Sequence, residues 1–464
     1  MFLDIEQKDS NKLAALEDNN RQITYGQLSD VAYDIEKSIG SRNLVFIMCH
    51  NSIASLAGYV GLLGSGNVPL LLSADLDSEL LTYLLDTYKP NYIWCPVDYD
   101  MFRSCEDTYT YDNYVLYSYS DGKIDLYDEL ALLLTTSGST GSPKLVRQSY
   151  TNITSNAKAI AEYLELDDTE RPITMLPMNY TYGLSVIHSH LLIGATILMT
   201  DNSYAQKAFW DFFKDCEATS IVGVPFTYEI LKKLRFFRMQ LPSLRYMTQA
   251  GGKLLPELHK EFAEYALNNN IRFYVMYGQT EATARMSYLP YEKSLEKYGS
   301  MGIAISGGEF SLIDVNGEVI DTADTIGELV YKGPNVTLGY AESLIDLSKG
   351  DERNGVLFTG DMAKRDMDGY YYIVGRKKRF LKIYGNRVNL DECERLIQGG
   401  FEGIECACVG SDDNMIIYVT KSDINIEVVD YISERTGLNR KAFEVRYIDT
   451  IPKNDSGKKL YTQL

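Results

Sequence analysis

Short apolar runs alternate with stretches of helical period through the first three-quarters of the chain, and that alternation restricts the fold more than any other feature. The stretch Ile23–Ile39 places Leu28, Val31, Ala32, Ile35 and Ile39 on one helical stripe. Leu44–Met48 then reads as a strand, Ala54–Leu63 as a helix and Val68–Leu72 as a second strand. Strand, helix and strand in that order make a βαβ unit, whose two strands run parallel with a right-handed crossover. The pattern goes on with a helix over Ser78–Tyr88 and a strand over Asn91–Cys95. Further along come strand Ile173–Pro177, helix Ser185–Ile193, strand Ile197–Thr200, helix Ala205–Lys214 and strand Ser220–Val224. The expectation is an α/β layer architecture.

From Gly307 the texture changes. Phe310–Ile313, Asn316-Gly317 and Val319–Ile320 read as a hairpin with a type I′ turn, because Asn-Gly tolerates the positive φ angles that turn needs. Gly327–Lys332 reads as a strand, and Asp368-Gly369 before Tyr370–Val374 as another hairpin. A basic burst follows: Arg376, Lys377, Lys378, Arg379, Lys382 and Arg387. After it an α+β pattern runs on, with helix Leu390–Ile397, strands Glu405–Val409 and Met415–Val419, helix Glu427–Thr436 and strand Phe443–Tyr447. The break points to a domain of 1–377 and a second of 378–464, with the boundary near Lys378.

Composition narrows the function. A net charge of -19 argues against a nucleic-acid binder, since phosphate contact needs a basic surface. The seven cysteines are odd in number and scattered, which predicts free thiols and a reducing, cytoplasmic setting. The four histidines lack the spacing of a zinc site. The first residues, MFLDIEQKDSNK, have no apolar core and carry early acids, unlike a secretory signal. No apolar run approaches the ~18 residues of a membrane span.

One loop points to chemistry. The strand-like LALLLT is followed by Thr136, Ser137, Gly138, Ser139, Thr140, Gly141, Ser142, Pro143 and Lys144. Glycines let backbone N–H groups approach an anion, hydroxyls add donors and lysine adds a point charge, so polyphosphate is the natural ligand. It is not a Walker P-loop, because Lys144 follows Pro143 and not a glycine. The same residues could form a flexible linker; the apolar strand in front and Pro-Lys behind count against that.

TSGSTGSPK resembles the phosphate-binding signature of the adenylate-forming superfamily, which comprises acyl-CoA synthetases, nonribosomal peptide synthetase adenylation domains and luciferases. Four further blocks carry the resemblance: Gln249–Leu254 with Gly251, Gly252 and Lys253; Tyr277-Gly278-Gln279-Thr280-Glu281; Phe358–Asp361 with Asp366–Tyr370 and Gly375-Arg376; and Pro452–Lys458. As isolated residues, Thr280 would be a helix N-cap, Asp361 a capping residue and the last block a basic tail.

The resemblance implies a large N-terminal domain of layered α/β sheets plus a distorted β-barrel, with a small mobile α+β C-terminal domain. It implies ATP and Mg2+ as cofactors. Thr136–Gly141 and Lys144 would hold phosphates, and Gly251, Gly252, Lys253, Tyr277 and Gly278 would lie along the adenine. Thr280 would contact the α-phosphate and Glu281 the Mg2+. Asp361 would bind the ribose, with Arg376 assisting, and Lys378 would be the hinge. Lys458 would reach the carboxylate during adenylation, while Lys382 and Gly385 would line the thiol channel. Lys377 and Arg379 read as a solvated face.

The implied reaction is an AMP-forming acid–thiol ligation. A carboxylic acid and Mg-ATP give acyl-AMP and pyrophosphate, and the acyl group then passes to CoA. Alternatives are the phosphopantetheine of an acyl carrier protein as acceptor, or a non-catalytic nucleotide-binding module. The acyl pocket is expected from Met178–Leu184, Val222–Tyr228, Gln249–Gly252 and Val275–Thr280, with Tyr180, Tyr182, Gly183, Tyr228 and Tyr277 suiting a small or aromatic acid. No aspartate lies between Met175 and His188 to hold an α-ammonium, which disfavours amino acids. Ser149-Tyr150-Thr151-Asn152 departs from the family's T-H-x-N.

Overall fold

The alternation read from the sequence folds as sheets covered by helices, in a computed structural model that describes residues 2–135, 144–384, 386–453 and 459–464, and of Asn386, Arg387 and Thr462 the backbone alone. The chain forms two units. One holds the described residues up to 310 together with 331–357; the other holds 311–330 and the described residues from 358 on.

The first unit is built on an eight-stranded sheet. Its order is Gly339–Ala341, Leu145–Ser149, Leu130–Thr135, Val68–Ser73, Leu44–Cys49, Tyr92–Pro96, Tyr114–Ser118 and Glu106–Tyr111. The predicted βαβ unit is present: Leu44–Cys49 pairs in parallel with Val68–Ser73 across the helix Ile53–Gly64. Both faces of Leu44–Cys49 are buried, Val45 and Ile47 in one core and Leu44, Phe46 and Met48 in the other. A strand buried on both sides reads as a continuous apolar run, which is what the sequence carries there. Gly58 admits Trp94 to this core, since a Cβ there would sit 2.1 Å from the indole nitrogen.

A five-stranded sheet follows, in the order Ser220–Gly223, Tyr246–Gln249, Arg272–Tyr277, Ser287–Tyr288 and Ile303–Ala304; its first three strands are parallel. A three-stranded sheet, Ile197–Met199, Leu13–Glu17 and Gln22–Thr24, completes the layers.

Three local expectations are corrected. The first helix is Tyr25–Ile39, because Thr24 forms a capping box with Gln27 and Ile23 pairs with Ala15 in a strand. The strand expected over Ile173–Pro177 is reduced to isolated bridges at Pro172 and Ile173. Beyond them the Thr174 hydroxyl accepts the Thr200 N–H at 2.9 Å, so a side chain takes the ladder's donor. The helix expected from Ser185 begins at Thr181.

Four strands, Glu309–Ile313, Gly327–Lys332, Val356–Arg365 and Tyr371–Arg376, bond in that order, with most of their residues in the second unit. The Asn316-Gly317 turn is not type I′. Gly317 has φ +87°, but Asn316 is not left-handed. The Asp314 carboxylate accepts the N–H groups of Asn316 (2.8 Å) and Glu318 (2.9 Å), which fixes a three-residue loop ending in a glycine bulge. A further core forms where helices Leu390–Gly400 and Asn425–Thr436 cover the sheet Cys406–Ser411, Asn414–Val419 and Phe443–Tyr447. None of the seven cysteines forms a disulfide. Among the described residues no helix is long and apolar enough to cross a membrane.

Candidate active site

Three parallel strands put two of the predicted motifs side by side. Gly223, Gln249 and Val275 are in register, so the chain leaves the sheet at one edge as Val224-Pro225, Ala250–Lys253 and Gly278–Glu281. The carboxyl edge of a parallel sheet is where such folds place ligands, because the loops there can vary without disturbing the core. Gly251 has φ +81°, and a Cβ on it would meet the Tyr180 hydroxyl at 2.7 Å. Gly252 and Lys253 are exposed. Gly278 is required by packing: a Cβ would lie 1.8 Å from the Ala284 carbonyl oxygen.

Thr280 and Glu281 lie in a single 3-10 turn, Thr280–Ala282, so Thr280 begins the turn and does not cap it. Thr283 closes the turn at φ +65°, a strained position for a β-branched residue. Its hydroxyl donates to the Asn335 carbonyl at 2.8 Å, and its own carbonyl accepts from Thr181. Glu281 is then ringed by residues from a distant segment. Tyr340 donates to its carboxylate at 2.6 Å, and Arg353 and Thr337 donate to its backbone carbonyl, both at 2.9 Å. Arg353 also stacks 4.7 Å above the Tyr340 ring. Lys144, on the described side of the Ser/Gly loop, stands 5.7 Å from that ring and pairs with Glu342 at 2.6 Å. Residues 136–143, among them Thr136–Gly141 expected at the phosphates, lie outside the described residues; the strands flanking them pair, Thr135 opposite Leu145.

The tyrosines divide. Tyr180 precedes the Thr181–Ile193 helix, is half-buried, and has its hydroxyl at Gly251. Tyr182 and Tyr228 are buried, and both hydroxyls donate to the Thr248 carbonyl, at 3.0 and 2.7 Å. Tyr228 packs edge-on against Phe262. These two build the wall's frame. Gly183 is fixed by the close Pro177 carbonyl, 2.4 Å from where a Cβ would stand.

In the second unit Asp361 is buried and Arg376 holds it at 2.8 Å through Nε, across the paired strands Val356–Arg365 and Tyr371–Arg376. Lys378 and Lys382 are exposed. The backbone of Lys382 is tied down by Asp412 and Asp413. Arg379 departs from the expected solvated face. It bonds Asp391 (2.8 Å), Glu394 (2.6 Å) and the Cys408 carbonyl, and lies 3.8 Å from the Tyr461 ring. The helix Leu390–Gly400 supplies both carboxylates, which is why this cation is drawn inward while Lys377 reaches outward to Glu328. Gly385 and Lys458 lie outside the described residues. Lys453 and Lys459, which flank 454–458, form an antiparallel bridge.

Tyr340, Arg353 and Glu342 were not singled out as site residues by sequence reasoning. They lie in none of the sequence motifs, and what marks them is their contact with Glu281 and Lys144. For a metal, no cluster of three His, Cys, Asp or Glu side chains exists among the described residues. A lone carboxylate such as Glu281 fits Mg2+ carried on a polyphosphate, because Mg2+ takes one or two protein carboxylates and completes its shell with phosphate and water.

The AMP-binding enzyme family model matches residues 4–341. The oxalate–CoA ligase of Arabidopsis thaliana is 28% identical over 349 residues, which are 71% of this chain and 66% of that protein. The 4-coumarate–CoA ligase-like 8 of the same plant is 28% identical over 351 residues, 73% of this chain and 62% of that protein. The chain thus spans just under two thirds of the length of these relatives. The o-succinylbenzoate CoA synthetase of Bacillus subtilis, solved with its acyl-adenylate intermediate, shares the fold with a TM-score of 0.81 at 21% identity, over 100% of this chain and 97% of that one. With the family model spanning most of its length, the chain belongs to the AMP-binding enzymes, the adenylate-forming superfamily that its motifs resemble.

Proposed function

We propose that this chain is an AMP-forming acid–thiol ligase that joins a carboxylic acid to CoA in two steps. The observation that carries the reading is the convergence at one sheet edge of Gly251-Gly252 and Tyr277–Glu281, with the Glu281 carboxylate held by Tyr340 and Lys144 beside that ring. A carboxylate fixed beside a cation and a glycine turn is an arrangement for Mg-polyphosphate.

In the first step a substrate carboxylate oxygen attacks the α-phosphorus of ATP, and the bond to the β-phosphate oxygen breaks. Pyrophosphate leaves and acyl-AMP forms. Tyr277, Gly278, Gly251, Gly252 and Lys253 line the adenine, and Asp361 with Arg376 takes the ribose hydroxyls. Thr280 meets the α-phosphate, while Lys144 and the Thr136–Gly141 loop hold the others. Mg2+ on Glu281 would neutralise phosphate charge, and Lys458 stabilises the charge that develops as pyrophosphate departs. Positioning and charge carry the step, and little proton transfer is needed.

In the second step the domain 378–464 turns about Lys378. The thiol sulfur attacks the acyl carbon along a channel lined by Lys382, AMP leaves and the thiol proton passes to solvent. CoA suits the surface better than a carrier protein does, because two cations of the basic strip, Lys377 and Arg379, are committed to Glu328, Asp391 and Glu394. The setting is cytoplasmic, with neither nucleic acid nor membrane as partner.

The test is acid-dependent pyrophosphate release over a panel of acids, with CoA and a holo-carrier protein as competing acceptors. Release with thioester formation on CoA is expected, and thioester on the carrier alone would move the acceptor. Nucleotide binding without release from any acid would leave a binding module. Lys458→Ala should impair adenylation far more than thioester formation from preformed acyl-AMP.

A further inference from the structure

A cavity of about 330 Å3 opens in the first unit, where the helix Tyr150–Tyr163 ends beside the strands Arg272–Tyr277 and Ser287–Tyr288. Four tyrosines line it. Tyr163 stacks on Tyr288 with ring centroids 4.3 Å apart, and Tyr274 stands nearly edge-on to Tyr163 at 6.0 Å and to Tyr291 at 5.6 Å. Three exposed acids, Glu162, Glu165 and Glu292, line it as well. The strand that carries Tyr274 ends in Tyr277, yet none of the motif residues is part of the lining.

The charge there is one-sided. No lysine, arginine or histidine is among the described residues that line the cavity. Arg272, nearby, is spent on Glu165 at 2.8 Å. Arg285 stands behind Tyr163, donates to its hydroxyl at 2.9 Å and does not reach the lining. Glu162 sits in the last turn of its helix, whose carbonyl end already carries negative charge, and no basic residue offsets it in that turn. Glu165 follows at φ +55°, a left-handed position that glycine takes at less cost. Acids thus stand where the local structure disfavours them.

Tyr274 supplies a second, independent mark. It is 1% exposed, and its hydroxyl has no hydrogen-bond partner among the described residues. Burial above all pushes this hydroxyl far above the ordinary tyrosine range; Arg272 pulls it back, and Glu165, Tyr291 and Glu292 push with the burial. Three of these four groups line the cavity, so the hydroxyl faces it. A buried polar atom without a partner is costly, and a ligand that supplies the partner removes that cost.

A metal ion does not fit, because among the described residues no three His, Cys, Asp or Glu side chains come together to hold one. Aromatic rings with carboxylates spread around them suit a larger cation, drawn both by the rings and by the charge. We infer that this cavity binds a small organic ammonium ion, whose N–H groups donate to Tyr274 Oη and to the carboxylates of Glu162 and Glu292 while its carbon frame lies among the tyrosine rings. The lining shares no residue with those assigned to ATP and the acid, so the site stands or falls independently of the ligase reading.

The experiment titrates the full chain, without nucleotide and at neutral pH, with benzylammonium and with benzyl alcohol, its neutral counterpart of the same shape, by calorimetry. Benzylammonium should bind at least about tenfold more tightly than the alcohol and lose affinity as salt is raised. Tyr274→Phe should weaken it by about tenfold, as expected for a lost hydrogen bond to a charged group, while the free protein melts no lower than wild type. Glu162→Gln combined with Glu292→Gln should weaken it too and flatten the salt dependence. Should Tyr274→Phe not fold, this carboxylate pair, exposed at both positions, decides alone. No binding of benzylammonium, or equal binding of the alcohol, means that the cavity holds water and overturns the inference. Binding that neither variant weakens lies elsewhere on the molecule and overturns it as well.

Discussion

Tyr340 donates a 2.6 Å hydrogen bond to the carboxylate of Glu281, from a segment 59 residues further along the chain. Burial, and then the Glu281 charge, push the Tyr340 hydroxyl well above the ordinary tyrosine range, so it stays a neutral donor. One carboxylate oxygen is thereby committed and the side chain is aimed. A hydrogen bond to a charged group contributes about 1.5–3 kcal/mol, so Tyr340→Phe should lower kcat/KM for Mg-ATP by roughly 10- to 100-fold. Glu281→Gln should cost more. Pyrophosphate release titrated with Mg2+ at fixed ATP checks both, and an unchanged Mg2+ dependence in Tyr340→Phe would show that the contact does not position Glu281.

The Asp361–Arg376 pair separates binding from stability. Asp361 is buried, but the Arg376 side chain is 55% exposed, so the pair itself adds little to folding. Asp361→Asn keeps the shape while removing the charged acceptor. It should melt near the wild-type temperature and bind ATP at least about tenfold more weakly, since a charged hydrogen bond to a ribose hydroxyl would be lost. Titration calorimetry with ATP measures this directly.

A different outcome is expected at Glu394. It is buried, accepts from Arg379 and Tyr461, pairs with Lys459, and takes the backbone N–H of Cys408 at 2.7 Å. Removing one partner from such a buried group strands the other charges. Glu394→Gln should destabilise the second unit by about 3 kcal/mol or more, read by chemical denaturation. Lys459 adjoins Lys458, so the same variant should also slow adenylation.

The sequence was most legible where one physical pattern acted alone. Leu44–Cys49 and Ser78–Tyr88 could be read because an apolar run or a helical stripe with Asp77 as cap decides them locally. The Asn316-Gly317 turn was misread because Asp314, outside the dipeptide, chooses the loop. Arg379 was misread because its carboxylates arrive from a helix a dozen residues away. Gly251, Tyr277, Glu281 and Asp361 stand out through their resemblance to the family's motifs, and the structure brings the first three to one sheet edge. Tyr340 does not, since what distinguishes it is the carboxylate it meets, which comes from a segment 59 residues away.

Buried histidines predict an acid-sensitive fold. Burial lowers His190 and His259 from 6.5 to about 4 and His188 to about 3. His190 donates through Nδ1 to the Val186 carbonyl at 2.7 Å, which leaves Nε2 to accept from Tyr246 at 2.8 Å. His259 Nδ1 accepts the Gly299 N–H at 3.1 Å, so its Nε2 donates to Ser294. Burial is what holds both rings neutral; for His190 the Val186 carbonyl pulls the other way without offsetting it. The unfolded chain binds these protons near pH 6.5 and the native state does not, so stability is full above that pH and falls as the pH drops from 6.5 towards 4. At pH 5 each histidine should have cost about 2 kcal/mol of unfolding free energy relative to neutral pH. Urea denaturation between pH 7 and pH 5 reads the sum, and His259→Gln should flatten the slope by one histidine's share while lowering the stability at pH 7. A wild-type stability that does not change across this interval would mean the rings are not held neutral.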